Sequence, residues 1–412
     1  MTALSDTSTP MVRKADTDDA LTPYKGIRVL DFAQGLAGPY TAAMLAAMGA
    51  DVIKVEPPEG DWGRLMGEVN GENGSMSLPA NWGKRALCVD ARKEQGRAVL
   101  KRLVRRADVV IESFRPGVMA KLGLDYDTLA AEQPAMIYVS ISGYGEQGPY
   151  AGRAGSDSII QAVSGMAVMN QDTEGTPRRI GMLAVDMLTA TYAAFSISSA
   201  LYEQRVNGSG RRLQISLLHA AAAFQMTSIL QNVLRQGKSR GNLATAPSGF
   251  FPTRTGMIAV TCLRDSMFAS LCEALNRREW SNDPLFSSNA ARLHNVDKLH
   301  EEISAVLATR DREYWIERLN RSGVLCGPVN EYADLVKDEQ VRYVNLFKKV
   351  DTPEFGPLPL VGLPGGGLQP DQQLPAPALG NHTRAILVEA GYNEMQIAEL
   401  LRDKTCYQAD EA

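Results

Sequence analysis

Much that would classify a protein quickly is missing from this chain. No uninterrupted apolar run approaches the roughly 20 residues that a membrane-spanning helix requires, which argues against a transmembrane segment. Cysteine is sparse and scattered: Cys88, Cys262, Cys272, Cys326 and Cys406 are odd in number and show no C-x-x-C spacing. That pattern fits free thiols in a reducing cytoplasm and argues against a structural zinc site. The four histidines, His219, His294, His300 and His382, form no ligand cluster, and His294 and His300 lie too far apart to be neighbours on one helix face. No block of like charge stands out among 43 basic and 47 acidic residues, and the net charge is −4. Nothing therefore favours nucleic acid or an anionic membrane, while a local basic pocket for a small anionic ligand is left open. The opening "MTALSDTSTPMVRKADTDDALTPY" is polar, carries acids and has no apolar signal core. It is expected to be a flexible tail over residues 1–23. No internal repeat is visible.

What is present is ordinary globular material. With 412 residues, 44% hydrophobic and 22% charged, the chain has enough apolar content for two or three domains. The first 150 residues alternate regularly between short apolar runs and amphipathic stretches. "GIRVLDF", "ADVIKVE", "RALCVD", "DVVIESF" and "AMIYVSIS" read as strands. "GPYTAAMLAAMG", "KEQGRAVLKRLVRRA" and "PGVMAKLGLDYDTLAAEQ" read as the intervening helices, and a polar loop, "PPEGDWGRLMGEVNGENG", follows the second strand. Such alternation implies parallel βαβ units, and right-handed crossovers make a doubly wound, Rossmann-like sheet. Ligands bind such sheets beyond the carboxyl ends of the strands, where "AQGLAG", "DARKEQ" and "SFRPG" lie. The first of these loops holds Gly35 and Gly38 without the G-x-G-x-x-G spacing. It therefore does not predict a dinucleotide, and a tight turn explains it equally well.

Residues 187–235 read as two helices around a short strand, "RLQISL". The next stretch, to about 325, offers a strand, "GMIAVTCL", and helices in "DSMFASLCEALN", "DKLHEEISAVLATR" and "REYWIERLNRSG", which suggests a separate α+β domain. From 345 the chain is rich in Pro and Gly, as an ordered loop or linker would be, and a last helix covers roughly 383–403. One stretch is chemically odd. "RRIGMLAVDMLTATYAAF" puts a single carboxylate, Asp186, into a run that is almost wholly apolar. Carboxylates are seldom buried without a partner or a task. Asp186 either caps a helix beginning at Met187 or does chemistry, and the two roles are compatible.

Seven segments in order carry a family resemblance. "YKGIRVLDFAQGLAGPYTAAMLAAMGADVIKVEPPEGD", "NWGKRALCVD", "ADVVIESFRPGVMAKLGLDYDTL", "IYVSISGYGEQGPYAGRAGSD", "IQAVSGMAVMN", "GVLCGPVNEYADLVKDEQV" and "PALGNHTRAIL" resemble the class III coenzyme A transferases. This is the formyl-CoA and carnitine CoA transferase family, also called CaiB/BaiF, and the likeness spans roughly residues 24–402. The family also contains α-methylacyl-CoA racemases. The resemblance implies a Rossmann-like large domain built from both ends of the chain, a smaller α+β domain, and a homodimer whose two chains interlock like links. The implied divisions are 1–23 as tail, 24–225 as the CoA-binding large domain, 226–328 as the small domain and 329–412 as a segment returning to the large domain.

The resemblance also assigns residues. Asp186 occupies the position of the transferase nucleophile, whose carboxylate attacks an acyl-CoA thioester to form first a mixed anhydride and then an aspartyl-CoA thioester. Met182, Leu183, Val185 and Met187 would exclude water from it. Racemases have a His in the segment "RAGSD", where this chain has Ser156 followed by Asp157. A hydroxyl is no proton carrier near neutral pH, so this departure favours transferase over racemase. Asp157 is then structural or substrate-orienting. For CoA, the resemblance places Leu36 and Ala37 beside the thioester and Val89 and Arg92 at the adenine and phosphates. Ser113, Phe114, Arg115 and Lys121 fall in and after the next loop. Arg92, Arg115 and Lys121 suit phosphate groups, although each could equally be part of a solvated surface. Formyl-CoA transferase has Gln in place of Leu36, a basic residue in place of Pro57, and a glycine run that closes over the intermediate; here Gly249 in "APSGFF" is the nearest counterpart. His382 is expected to be structural near a helix start, and Tyr144 to shape a turn.

The expectation is a CoA-transferase that moves CoA from an acyl-CoA, with succinyl-CoA favoured, to a free carboxylic acid. CoA is its substrate, and no permanent cofactor or metal is implied. An acyl-CoA racemase or isomerase is the runner-up, and a catalytically silent CoA-binding protein a third reading.

Overall fold

The computed structural model of the protein describes residues 20–172, 174–236 and 244–409. Most of the expected N-terminal tail, residues 1–19, lies outside them. The chain divides into two compact units. One comprises the residues up to Met226 together with those from Leu346 onward, and the other is Thr227–Asn345.

The first unit is built on a seven-stranded sheet of β1 (Arg28–Asp31), β2 (Asp51–Glu56), β3 (Arg85–Val89), β4 (Val109–Glu112), β5 (Ile137–Ser142), β6 (Arg211–Ser216) and β7 (Cys406–Tyr407). Its order is β7-β3-β2-β1-β4-β5-β6. All neighbours are parallel except the β3–β7 pair at one edge. The six parallel strands thus follow the doubly wound order, which reverses direction between β1 and β4. The reversal leaves a crevice at the carboxyl ends of those two strands.

Alternation along each strand feeds two cores. Leu30, Ile53, Leu87, Val110 and Tyr138 face one side. There they meet Val99, Leu100 and Leu103 of helix α2 (Glu94–Val104), and Ile386, Leu387, Ile397 and Leu400 from the end of the chain. Val29, Val52, Val109, Ile111 and Val139 face the other side, toward helices α1 (Ala37–Ala47), α4 (Asp157–Val163), α5 (Ala184–Asn207) and α6 (Leu217–Phe224). Both faces of the sheet are covered, which is why its strands read as unbroken apolar runs in the sequence.

Several expected elements differ in detail. The helix expected across 116–133 is broken into α3 (Val118–Leu122) and a turn of helix at Tyr126–Ala130, because Gly123 adopts φ +65° and ends the first piece. The last helix is likewise two, Thr383–Glu389 and Glu394–Arg402, separated by Gly391 at φ +85° and restarted by the Asn393 cap. Between 346 and 373 the Pro/Gly-rich segment forms an antiparallel hairpin, Phe347–Thr352 with Gly356–Val361.

The second unit has a three-stranded antiparallel sheet, Leu325–Pro328, Gly256–Thr261 and Ser248–Thr253, packed on helices that include Asp265–Ala274, Val296–Leu307 and Arg312–Arg321. It extends to Asn345, past residue 328, where the sequence placed its end.

Candidate active site

The crevice at β1 and β4 is where the loops after these strands are tied together. The Gln34 N–H donates to Ser113 Oγ at 2.9 Å, and the Gly35 N–H donates to Asp61 Oδ1 at 2.9 Å. Gly35 needs its glycine: its φ is +82°, and a Cβ there would run into the Trp62 ring. Beneath the loop lie two buried ion pairs, Lys54–Asp61 and Lys84–Asp31, each 2.7 Å long. Lys54 Nζ also donates to Ala33 O, and Lys84 Nζ to Pro39 O at 2.8 Å. The loop after β1 and the first turn of α1 are therefore anchored by cations that the sequence alone does not single out: Lys54 lies inside β2, and Lys84 precedes β3 beside Arg85.

Leu36 is the N-cap residue of α1. The helix starts with no side-chain cap from Leu36 and no acid in its first turn, so its positive end is not compensated from within the helix. Ala37 and Val185 belong to the same buried cluster, and Thr41 Oγ1 lies 3.5 Å from Ala190 O. Helix α1 and the helix carrying Asp186 are packed side by side.

Helix α5 begins at Ala184, not at Met187, so Asp186 is an acid in its first turn and not its N-cap. The N-cap residue is Leu183, which offers no cap. The carboxylate of Asp157 does that work, accepting from the Val185 N–H at 2.7 Å and the Asp186 N–H at 3.1 Å. Among the described residues nothing donates a hydrogen bond to the Asp186 carboxylate. Desolvation, and then the negative charge of Asp157, push it up to about 7. Of the apolar neighbours expected to keep water away, Val185 is buried and Leu183 half-buried, but Met182 and Met187 are exposed on this chain. They shield nothing by themselves. Ser156 is exposed at the start of α4.

The expected CoA contacts separate into three groups. Leu36, Ala37 and Ser113 meet at the crevice. Val89 is buried in the core against which the half-buried Phe114 packs, and the Phe114 N–H is held by Glu112 Oε2 at 2.8 Å. Arg92 is exposed, and its guanidinium is engaged by Asp90 at 2.7 Å and Glu59 at 2.9 Å. Arg115 and Lys121 are exposed and pair with no acid among the described residues. Arg115 lines a cavity of ≈ 220 Å³ together with Glu112, Tyr126, Tyr138, Ser140 and Arg212. Burial pushes the Glu112 carboxyl up to about 7.

Gly249 lies in the second unit, in the strand Ser248–Thr253 opposite Val260. Tyr144 packs partly buried on the core and edge-on to Tyr150. His382 joins the β3 edge: its N–H donates to Ala86 O at 2.9 Å, and its Nδ1 accepts the Ala86 N–H at 3.2 Å. Among the described residues no group of three or more His, Cys, Asp or Glu could hold a metal ion, and no helix is long and apolar enough to cross a membrane.

Comparison with known proteins bears on the family and the fold. Residues 24–383 match CoA-transferase family III. A succinate–glutarate CoA-transferase of Agrobacterium fabrum is 33% identical over 390 residues, covering 91% of this chain and 97% of the relative. A succinyl-CoA:glutarate CoA-transferase of Mus musculus is 32% identical over 399 residues, covering 93% and 90%. The crystal structure of a CaiB/BaiF family protein from Brucella suis superposes with a TM-score of 0.79 at 33% identity, covering 90% of this chain and 99% of that one. The chain therefore belongs to CoA-transferase family III and is an enzyme of the class III CoA-transferase type.

Proposed function

We propose that the protein transfers CoA from a dicarboxylic acyl-CoA of the succinyl type to a second free carboxylic acid, with Asp186 as the covalent nucleophile. The observation that carries this reading is the half-buried Asp186 carboxylate in the first turn of α5, which accepts no hydrogen bond among the described residues; desolvation and the neighbouring Asp157 push it up to about 7. The names of the relatives, which pair succinate with glutarate, support the dicarboxylate class.

The chemistry proceeds by two exchanges. The Asp186 carboxylate attacks the thioester carbonyl, and the C–S bond breaks. A mixed anhydride and CoA thiolate are formed. The thiolate attacks the Asp186 carbonyl, releasing the donor acid as carboxylate and leaving an aspartyl-CoA thioester. The acceptor carboxylate then attacks that thioester, giving a second anhydride and thiolate. Attack of the thiolate on the acceptor's carbonyl delivers the new acyl-CoA and frees Asp186. The uncapped start of α1 at Leu36 and Ala37 offers N–H groups for the oxyanion that forms at each step. Arg115 and Lys121, free of acidic partners, suit the CoA phosphates better than Arg92, whose charge Asp90 and Glu59 already compensate. CoA enters as substrate, and the reaction calls for no resident cofactor.

The reading includes an interlocked homodimer. Helix α5 supports it with an exposed apolar stripe at helical spacing: Phe195, Tyr202 and Val206 are 70%, 75% and 70% exposed. The unpaired cysteines support a reducing, cytoplasmic setting.

The test is succinyl-CoA and glutarate with the Asp186→Ala variant, and hydroxylamine trapping of the parent enzyme. Asp186→Ala is expected to abolish transfer with CoA affinity kept within a few fold, and mass spectrometry to find the hydroxamate on Asp186. Undiminished turnover, or a hydroxamate elsewhere, rejects the covalent role. Exchange of an α-deuteron without an acceptor acid would instead indicate a racemase.

A further inference from the structure

Helix α5 is 24 residues long and begins at a leucine that cannot cap it. Its cap comes from 28 residues upstream of Val185, from a side chain that is 3% exposed. Asp157 Oδ2 takes the N–H groups of Val185 and Asp186, while Oδ1 accepts from Gln161 Nε2 at 2.6 Å. Gln161, fully buried, also accepts the Ile180 N–H at 2.8 Å and donates to Met182 O at 3.3 Å. The segment leading into Asp186 is thus held on α4 by two side chains one helical turn apart.

We infer that Asp157 is the positioning residue for Asp186: it fixes the first turn of α5 from outside the helix and sets the charge environment in which the Asp186 carboxylate reacts. The inference rests on the covalent reading above.

An acid in the first turn of a helix is ordinarily stabilised as its anion by the unpaired N–H groups there. Here Asp157 already occupies those groups, including the N–H of Asp186 itself. Asp186 is left with the desolvation of its site and a like charge beside it. Both make a carboxylate more basic and hold Asp186 above the ordinary carboxylate range. A more basic carboxylate is the better nucleophile toward a thioester, and as part of an anhydride it is the poorer leaving group. Helices α1, α4 and α6 and strands β5 and β6 pack on α5. Their ionisable groups are Tyr40, Asp157, His219, Tyr138, Arg211 and Arg212, and Arg178 and Arg179 precede the helix. Among them Asp157 alone exerts a charge effect on Asp186.

The experiment compares Asp157→Asn and Asp157→Ala with the parent enzyme in kcat/KM against pH, with hydroxylamine trapping of Asp186 followed in each. Asp157→Asn keeps an oxygen to accept from the helix and loses the charge. Its acidic limb is expected about one pH unit lower, with a modest fall in melting temperature because the new amide NH2 faces the Gln161 Nε2 donor. Asp157→Ala is expected to shift the limb similarly and to lower the melting temperature further, since the helix then loses its acceptor. If Asp157→Asn does not fold, Asp157→Ser offers a neutral acceptor with the same readout. In the parent, the trapping rate is expected to follow one ionisation near 7. A limb that stays in place in a folded neutral variant whose Asp186 is still trapped overturns this inference and leaves the covalent reading intact. So does a parent trapping profile that follows an ordinary carboxylate near 4. Failure to trap Asp186 in the parent overturns both.

Discussion

Lys54 and Asp61 form an ion pair 2.7 Å long that solvent does not reach. Asp61 also holds the Gly35 and Gly63 N–H groups, and Lys54 the Ala33 carbonyl, so the pair joins β2 to the loop at the crevice. Removing one partner strands a buried charge, which costs about 3–5 kcal/mol. Lys54→Met is expected to lose stability of that order in denaturant unfolding, and any folded fraction to show a raised KM for acyl-CoA. Asp61→Asn, which keeps an acceptor for the two N–H groups, is expected to be milder in KM.

Asp186 costs the fold stability when it is ionised, because desolvation and the Asp157 charge disfavour its anion. Its carboxyl titrates at about 7 in the folded chain, above its ordinary value of 3.8. The unfolded chain therefore releases this proton first as pH rises. The resulting loss of stability is absent below about 4, grows between the two values and is complete above about 7. Asp186→Asn is expected to abolish transfer and to raise stability at pH 8 by about 1–2 kcal/mol, less than the full shift implies because the side chain is partly solvated. At pH 4 the gain should vanish. Thermal unfolding at the two pH values checks this.

Glu112 fixes the turn that follows β4 by accepting the Phe114 N–H. Losing this hydrogen bond is worth about 1 kcal/mol. Glu112→Ala is expected to raise KM for acyl-CoA about 5- to 10-fold, and Glu112→Gln, which still accepts, to restore most of it. Steady-state kinetics on the two variants decide, and an unchanged KM in Glu112→Ala separates this turn from CoA binding.

In the second unit, a Cβ on Gly249 would approach His300 Cε1 to 3.2 Å, and the buried His300 Nε2 has no hydrogen-bond partner among the described residues. The ring has little freedom to yield, since it packs edge-on to Phe251 at 5.0 Å. Gly249→Val is expected to destabilise by about 1–3 kcal/mol, and His300→Ala in the same chain to recover part of the loss. A double-mutant cycle in thermal unfolding measures the coupling.

The parallel sheet was legible because strands buried on both faces appear as short apolar runs between amphipathic helices. Helix ends were less so, for reasons outside the local sequence. The start of α5 was read at Met187 because Asp186 looks like a local cap. It lies at Ala184 because Asp157, distant in sequence, supplies the cap. Ser248–Thr253 was missed as a strand because its "SGFFPT" has Gly and Pro but little alternation, and its pairing with Gly256–Thr261 is what makes it one. At the site, Asp186 stood out by its solitude. The Lys54–Asp61 and Lys84–Asp31 pairs did not, because each partner alone resembles an ordinary surface charge.

The outermost strand of the main sheet, β7, and the helices that cover half of one sheet face come from residues after the second unit. On the ribosome, β3 therefore lacks its outer neighbour, and Leu87 and Ile53 lack the part of their layer supplied by Ile386, Leu387, Ile397 and Leu400, while the 190 or so residues from Ser216 to Cys406 are translated, on the order of 10–40 s. The strands that frame the crevice at β1 and β4 are made long before the hydrophobic layer on one face of the sheet is complete. That interval is when chaperones, or a neighbouring nascent copy, have access to the open edge.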